Sequence, residues 1–269
     1  MTDQQLQKFK AWFADYIADF YGTSAYIDAN LELKEIHTDY VCKEAIYIAG
    51  AIGLGENDRL IAAVIALFHD VGRFEQFTKY QTYSDAKSEN HNLMAVRILK
   101  EYNILADLTE TEQDIILKAI ELHGAKELPA DLDELTELHA RIIRDADKLD
   151  IYRVLTEKYR QYRDDPENYS LELEQVDEPT YSPHIIEAIQ NHAQVDYTSL
   201  KTLNDMKLLL LAMIFDVNFA PTLKRIKQHG YVGQLLQLLP DDEVMEKVGQ
   251  TMRVYMENKI FQLDKQAGS

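Results

Sequence analysis

The sequence predicts an all-α protein, a helical bundle with a C-terminal helical extension. Apolar residues recur at intervals of three and four in most segments, for example at Leu6, Phe9, Phe13 and Ile17. Glycines follow several of these segments, as is typical where helices end. No alternation of apolar and polar residues is long enough to require a β-sheet. These three observations together favour helices throughout.

The 269 residues, 46% of them hydrophobic, suffice for one large domain or two small ones. Residues 164–183 are acidic, contain three prolines and have no clear period, which predicts a connecting loop. We therefore expect a helical domain over residues 1–163 and a helical extension over 164–269, which can also belong to the same compact unit. Within the extension, helices are expected near residues 183–194, 199–217, 219–228 and 241–263.

Composition and charge exclude several classes of function. The formal net charge of −18 opposes binding to nucleic acids and to anionic membranes. A small anionic substrate remains compatible, because a bound divalent cation can dominate the field inside a pocket. Cys42 is the single cysteine, and no apolar run reaches the roughly 18 residues of a membrane span. With no signal-peptide pattern at the N-terminus, we expect a cytoplasmic protein.

The most informative stretch is ALFHDVGRF, residues 66–74, in which an apolar helix delivers His69 and Asp70 side by side. Neighbouring side chains diverge by about 100° on a helix, so such a pair converges on one ion most easily where the helix ends. Gly72 predicts that end. Imidazole and carboxylate suit Mn, Fe, Co, Ni or Zn, and a carboxylate can also bridge two ions. Arg73 follows three positions after Asp70, where it is either a contact for an anion or a surface residue.

A loop or lid is expected over residues 75–87, which mix polar and aromatic side chains. Upstream, a helix from about residue 30 to 52 places His37 on one stripe with Leu33 and Val41. A lone histidine in such a position is more often a hydrogen-bonded core residue than a ligand. The interpretation of His37 therefore depends on the other histidines.

Two histidines downstream also lie in helical segments. Ser88 can cap a helix that carries His91. A capping-box match at residues 109–112 opens another helix, which closes on His123 before Gly124. Histidines at the ends of helices are what ligands at the mouth of a bundle would look like.

An acidic run, RDADKLD at residues 144–150, lies in a long helix expected from about residue 133. Periodicity does not choose between Asp145 and Asp147, since each has apolar neighbours on its own face of the helix. By itself the run would be interpreted as a solvated acidic patch.

The order of His37, the His69-Asp70 pair and the distant Ala-Asp-x-Leu phrase resembles the HD superfamily of metal-dependent phosphohydrolases. HDVGRF is similar to the central motif of that family, and ADKLD is similar to its closing motif. The resemblance covers residues from about 30 to 155 and implies an HD-domain helical bundle. The GYP phrase of one branch is absent, so cyclic-dinucleotide hydrolysis is not implied.

The resemblance also implies ligand sets for one or two divalent ions (Mn, Fe, Co, Ni, Zn or Mg). The first set is His37, His69, Asp70 and Asp147. The second, with Asp70 as the bridge, adds His91 and His123. Alignment on the closing phrase places the ligand at Asp147, which leaves Asp145 and Asp150 beside the ligands or toward the substrate.

Such ions activate water and polarise a phosphoryl oxygen. The implied activity is hydrolysis of a phosphomonoester or phosphoanhydride of a small molecule such as a nucleotide. The residues expected at the reacting groups are Asp70, Arg73 and Lys148.

Two other functions remain open. Di-iron oxygenases with the HD fold resemble this order of four His and two Asp, and iron accepts the same ligands. A non-catalytic, nucleotide-binding HD regulatory module is the other alternative. The apolar C-terminal helices additionally predict a homodimer.

Overall fold

The computed structural model describes residues 1–168 and 175–267. Within them the chain forms α-helices, short 3₁₀ turns and one isolated parallel bridge between Val176 and Thr202, which confirms the all-α class with extra C-terminal helices. The helices of the first half are α1 Asp3–Ala18, α2 Ala25–Ala51, α3 Glu56–Phe68, α4 Gly72–Tyr80, α5 His91–Glu101, α6 Glu110–Leu122 and α7 Glu134–Asp164. Those of the second half are α8 Pro183–Gln190, α9 Leu203–Ala212, α10 Ala220–His229, α11 Tyr231–Leu236 and α12 Glu243–Ala267.

The chain divides into two compact units, Met1–Asp147 and Lys148–Ser269. This division falls inside α7, which continues without a break to Asp164. The predicted boundary between residues 163 and 164 stays a prediction. Residues 169–174 of the predicted connecting loop lie outside the described residues.

Helix α3 forms the centre of the first unit. Its residues from Leu60 to Phe68 are all buried, and the helix packs against α1, α2 and α6. The ring of Phe68, for example, lies 5.9 Å from that of Phe9 and 5.8 Å from that of Trp12. Burial of a large apolar side chain contributes roughly 1.5–3 kcal/mol, so the end of α3 is held firmly in the core. The next residue along the chain is His69.

Side-chain caps decide where three of these helices begin. Ser24 accepts a backbone N–H of the first turn of α2, so this helix starts earlier than predicted. Asn90, rather than the predicted Ser88, caps α5 by accepting two N–H groups. At α6 the predicted capping box is present, formed by Thr109 and Glu112.

The prediction of a loop over residues 75–87 is wrong for its first half. Gly72 does not terminate a helix: α3 ends at Phe68, and Gly72 is the first residue of α4. Phe74 and Phe77, three residues apart, are buried on one face of α4. These two contacts with the core stabilise a helix in a segment whose mixed polarity suggested a loop. The loop begins only at Gln81, whose φ of 52° ends α4.

In the second unit, the buried carboxylate of Asp205 joins α8 to α9. It accepts the backbone N–H groups of Ser182, Lys201 and Thr202, together with the Ser182 hydroxyl. The expected helix over 199–217 is shorter than predicted, and α11 was not predicted at all. Across the described part of the chain, every helix is too short or too polar to span a bilayer.

Candidate metal centre

Four histidines and one aspartate from four segments converge within the first unit. Helix α2 contributes a side chain from its middle, the turn between α3 and α4 contributes two, and α5 contributes its first residue. Helix α6 contributes the residue at its C-terminal end. All five side chains are buried: His37, His69, Asp70, His91 and His123.

The first group consists of His37, His69 and Asp70. The Nε2 atoms of the two rings lie 3.3 Å apart. Asp70 Oδ2 lies 3.6 Å from Nε2 of His37 and 3.7 Å from Nε2 of His69. One ligand atom from each of these residues lies within 4.8 Å of the others, a spacing that could hold a metal ion.

The second group shares the same carboxylate. Nε2 of His91 and Nε2 of His123 lie 3.3 Å apart. The other oxygen of Asp70, Oδ1, lies 3.5 Å from the first of these nitrogens and 3.9 Å from the second. Asp70 therefore presents one oxygen to each pair of histidines, which is the arrangement that a carboxylate bridging two ions requires.

Hydrogen bonds on the far side of three rings fix where their protons lie. His69 Nδ1 donates to the Ala66 carbonyl at 2.7 Å, and His123 Nδ1 donates to the Ile120 carbonyl at 2.8 Å. His91 Nδ1 lies 2.7 Å from a carboxylate oxygen of Asp85. Because these acceptors need the proton on Nδ1, each Nε2 of a neutral ring carries a lone pair that points into the cluster.

This donor set fits a cation. The lone pairs on Nε2 of His91 and His123 face each other at 3.3 Å, with no hydrogen to share between them. Two such lone pairs repel each other, and a buried acceptor without a donor is costly. Neutral imidazole and carboxylate are the ligands that divalent transition metals prefer, so an ion in the second group would satisfy this pair of rings, and the first group offers the same kinds of donor.

Burial keeps these rings neutral. It lowers the pKa of His69 and of His91, and it lowers the pKa of His123 to about 4, where the neighbouring His69 adds to the effect. Burial alone would raise the pKa of Asp70, but Lys34, His69 and Arg73 hold it well below its ordinary value. The centre therefore offers neutral nitrogens and an ionised carboxylate at physiological pH.

Asp147, the ligand position favoured by the resemblance, lies beside the first group. Its Oδ1 is 3.2 Å from Nε2 of His37. Burial alone would raise the pKa of Asp147, but the hydrogen bond from His37 and the neighbouring His37, His69 and His123 together lower it. Asp145 is fully buried, and Asp150 pairs with Nε of Arg153 at 2.6 Å. The roles of all three acids toward a metal stay predictions.

Arg73, expected to meet substrate phosphate, contacts protein acceptors. Its Nη1 donates to Gln76 Oε1 at 2.8 Å, to the Tyr83 carbonyl at 2.6 Å and to Asp85 Oδ1 at 3.0 Å. Its Nε lies 3.4 Å from Asp70 Oδ1. Through these contacts Arg73 connects the loop after α4 to the carboxylate of Asp70, so Arg73 positions these groups.

Lys148 was the other expected contact with substrate. It belongs to the second unit, where its Nζ lies 2.8 Å from Asp216 Oδ2. Its side chain is mostly buried in this ion pair. Contact of Lys148 with a substrate stays a prediction.

Two residues of the centre were missed in the sequence. Lys34 places its Nζ 2.7 Å from Asp70 Oδ2, and Asp85 holds His91. Leu33 was assigned to the buried stripe of α2, but it is 46% exposed. Lys34, also one turn before His37, faces the centre instead, and only its spacing could have signalled this. Asp85 lies in a loop, where periodicity carries no information.

We expect Asp85→Asn to weaken Mn²⁺ binding by about 10- to 100-fold, the usual cost of removing a partner of a ligating histidine. The amide oxygen of asparagine is uncharged, so it accepts the Nδ1–H of His91 more weakly than the carboxylate does. Competition with a fluorescent chelator measures the affinity. Glu89→Gln, on the same loop, removes an exposed acid that pairs with Lys79 and is the matched control. Equal losses in both variants would contradict a specific role for Asp85.

Comparison with known families matches residues 36–152 to the HD domain. The matched range contains His37, both members of the central pair, His91, His123 and Asp147. Comparisons with curated proteins and with solved structures gave no match. The motif order, the helical fold and this match agree that residues 36–152 of the chain form an HD domain.

Proposed function

We propose that this protein is a metal-dependent phosphohydrolase that cleaves a phosphomonoester or phosphoanhydride of a small molecule such as a nucleotide. The HD domain and the buried His/Asp cluster support a metal-dependent hydrolase of the HD type. Divalent ions bound at such a site lower the pKa of water and polarise a phosphoryl oxygen. The phosphorylated substrate is part of this proposal.

The observation that carries the proposal is the two-sided environment of Asp70. Its Oδ2 faces His37 and His69, and its Oδ1 faces His91 and His123. The opposed lone pairs of His91 and His123 call for a cation, and the Asp70 carboxylate reaches both histidine pairs. Two ions that share this carboxylate would suit the in-line displacement of a phosphoryl group, in which attacking and leaving oxygens must both be stabilised.

The remaining residues keep this arrangement ready. Asp85 fixes the ring of His91, and Arg73 links Asp85 to Asp70. Burial of the ligands excludes bulk water, which strengthens every electrostatic interaction with a bound anion. The protein thus supplies neutral imidazole nitrogens, a carboxylate that faces both histidine pairs, and surroundings from which bulk water is excluded.

The proposal is tested by metal analysis of the purified protein and a phosphatase screen over nucleotides and sugar phosphates. We expect metal in the wild type and release of phosphate from at least one compound, with release lost after chelation and restored by Mn²⁺. His69→Ala should reduce release to background. The control is His184→Ala, which changes an exposed histidine of α8.

Two outcomes would contradict hydrolysis. Substrate-dependent oxygen consumption by the iron-loaded protein would indicate the di-iron oxygenase instead. Nucleotide binding without any turnover, equal in wild type and His69→Ala, would indicate a regulatory module.

A further inference from the structure

Lys34 connects the surface of α2 to the buried carboxylate of the metal centre. Its Nζ lies 2.7 Å from Asp70 Oδ2, and its side chain is 22% exposed whereas that of Asp70 is 4% exposed. The Lys34 side chain is therefore partly accessible to solvent, and its ammonium contacts the carboxylate of Asp70. Lys34 precedes the matched residues 36–152, so the family match does not include it.

The Lys34 ammonium has N–H groups that its contacts within the protein do not use. A lysine carries three N–H groups, and the contacts of Lys34 use one of them, on Asp70. Its other contact is with the ring of Tyr83, whose centroid lies 5.3 Å from Nζ. This cation–π contact steadies the charge without an acceptor atom. The Tyr83 hydroxyl donates to the Asn30 carbonyl at 2.8 Å, which fixes the ring in place.

Arg73, the other cation at Asp70, differs in this respect. Its Nη1 and Nε atoms already donate to Gln76, Tyr83, Asp85 and Asp70, and its side chain is 14% exposed. An incoming anion could reach these two nitrogens of the guanidinium only by breaking these bonds. Of the two cations that contact Asp70, Lys34 is the more exposed, at 22% against 14%, and only one of its contacts is with an acceptor atom.

We propose that Lys34 binds the phosphoryl group of the substrate, an assignment that rests on the proposed function. Asp70 Oδ2 belongs both to the ion pair with Lys34 and to the first ligand group. The ion pair would weaken when this oxygen binds a cation, and a largely buried ammonium without its counter-ion is unfavourable. Lys34 would then donate to an oxygen of the bound anion, which would restore a charge-assisted hydrogen bond.

The test is calorimetric titration of inorganic phosphate into Mn²⁺-loaded protein. We expect Lys34→Met to weaken phosphate binding by about 10-fold, the usual contribution of a hydrogen bond to a charged group. Lys34→Arg retains the charge and should stay within about 3-fold of wild type. The control is Lys43→Met, which removes an exposed lysine on the same helix. Phosphate affinity of this control should equal that of wild type.

A second readout separates anion binding from a structural role. With no phosphate present, Lys34→Met should bind Mn²⁺ at least as tightly as wild type, because a competitor for Asp70 Oδ2 is gone. A parallel loss of Mn²⁺ affinity and of thermal stability would show a structural role and overturn the proposal. Phosphate binding by Lys34→Met as tight as in wild type would overturn it too, while leaving the hydrolase function intact. A wild type that binds Mn²⁺ but neither binds nor releases phosphate would overturn both.

Discussion

Asp70→Asn is expected to release metal from both ligand groups and to lower phosphate release by about 1000-fold or more, since ions at such sites supply several kcal/mol of transition-state stabilisation. Asp70 is the residue whose oxygens face both pairs of histidines. The substitution also leaves Lys34 and Arg73 without their shared anion, which is costly for charges that are largely buried. Metal content is measured by mass spectrometry, alongside phosphate release from the substrate found in the screen.

The matched control is Asp39→Asn, which removes an exposed carboxylate of α2 close to His37. It should keep both metal content and activity. Circular dichroism establishes that each variant retains its helices. Phosphate release by folded Asp70→Asn at the wild-type rate would falsify the assignment of this centre as the active site.

Gly72→Ala is expected to destabilise the first unit by about 1–3 kcal/mol, the usual cost of overpacking. A Cβ at this position would lie 2.5 Å from the carbonyl oxygen of His91 and 2.9 Å from both Ala95 N and Met94 Cβ. Backbone atoms at such distances cannot turn aside, so α4 must move away from α5. Because His91 is the first residue of α5, we also expect weaker Mn²⁺ binding at the second ligand group.

Urea denaturation followed by circular dichroism measures the loss of stability. Gly50→Ala, near the end of α2, is the control, because its Cβ would meet only Arg59 Cδ at 3.9 Å. This change should be neutral or stabilising by about 0.5–1 kcal/mol, since alanine favours helix more than glycine does. A wild-type urea midpoint and wild-type Mn²⁺ affinity for Gly72→Ala would show that the close approach of α4 and α5 is unimportant.

The convergence of the histidines could be anticipated from the family resemblance, together with the regular period of their helices. His37, with Val41, and His123, with Ile116 and Ile120, lie on stripes that the structure buries. A polar residue on a buried stripe must find a partner, and several such residues together indicate a shared one. For the acidic run, periodicity did not distinguish Asp145 from Asp147 as the metal ligand. The family resemblance alone favoured Asp147.

The surroundings of the ligands could not be anticipated in the same way. Arg73 was expected to be available for phosphate, but three acceptors from the segment that follows it occupy its Nη1 atom. Gly72 was expected to end a helix, and instead it lets two helices approach closely. The deciding atoms lie several to many positions further along the chain, so no local pattern reveals them. Contact of Arg73 with phosphate stays a prediction.

The sequence by itself determined the all-α class and the set of imidazoles and carboxylates around which the domain is built. Helical periodicity is a local property of neighbouring residues, and it shows directly in the order of the amino acids. Only the tertiary structure decided which oxygen of Asp70 faces which pair of rings, that Asp85 supports His91, and that Lys34 reaches the same carboxylate. Lys34 and Asp70 are separated by 36 positions along the chain, and their contact forms only when α2 packs beside the turn that follows α3.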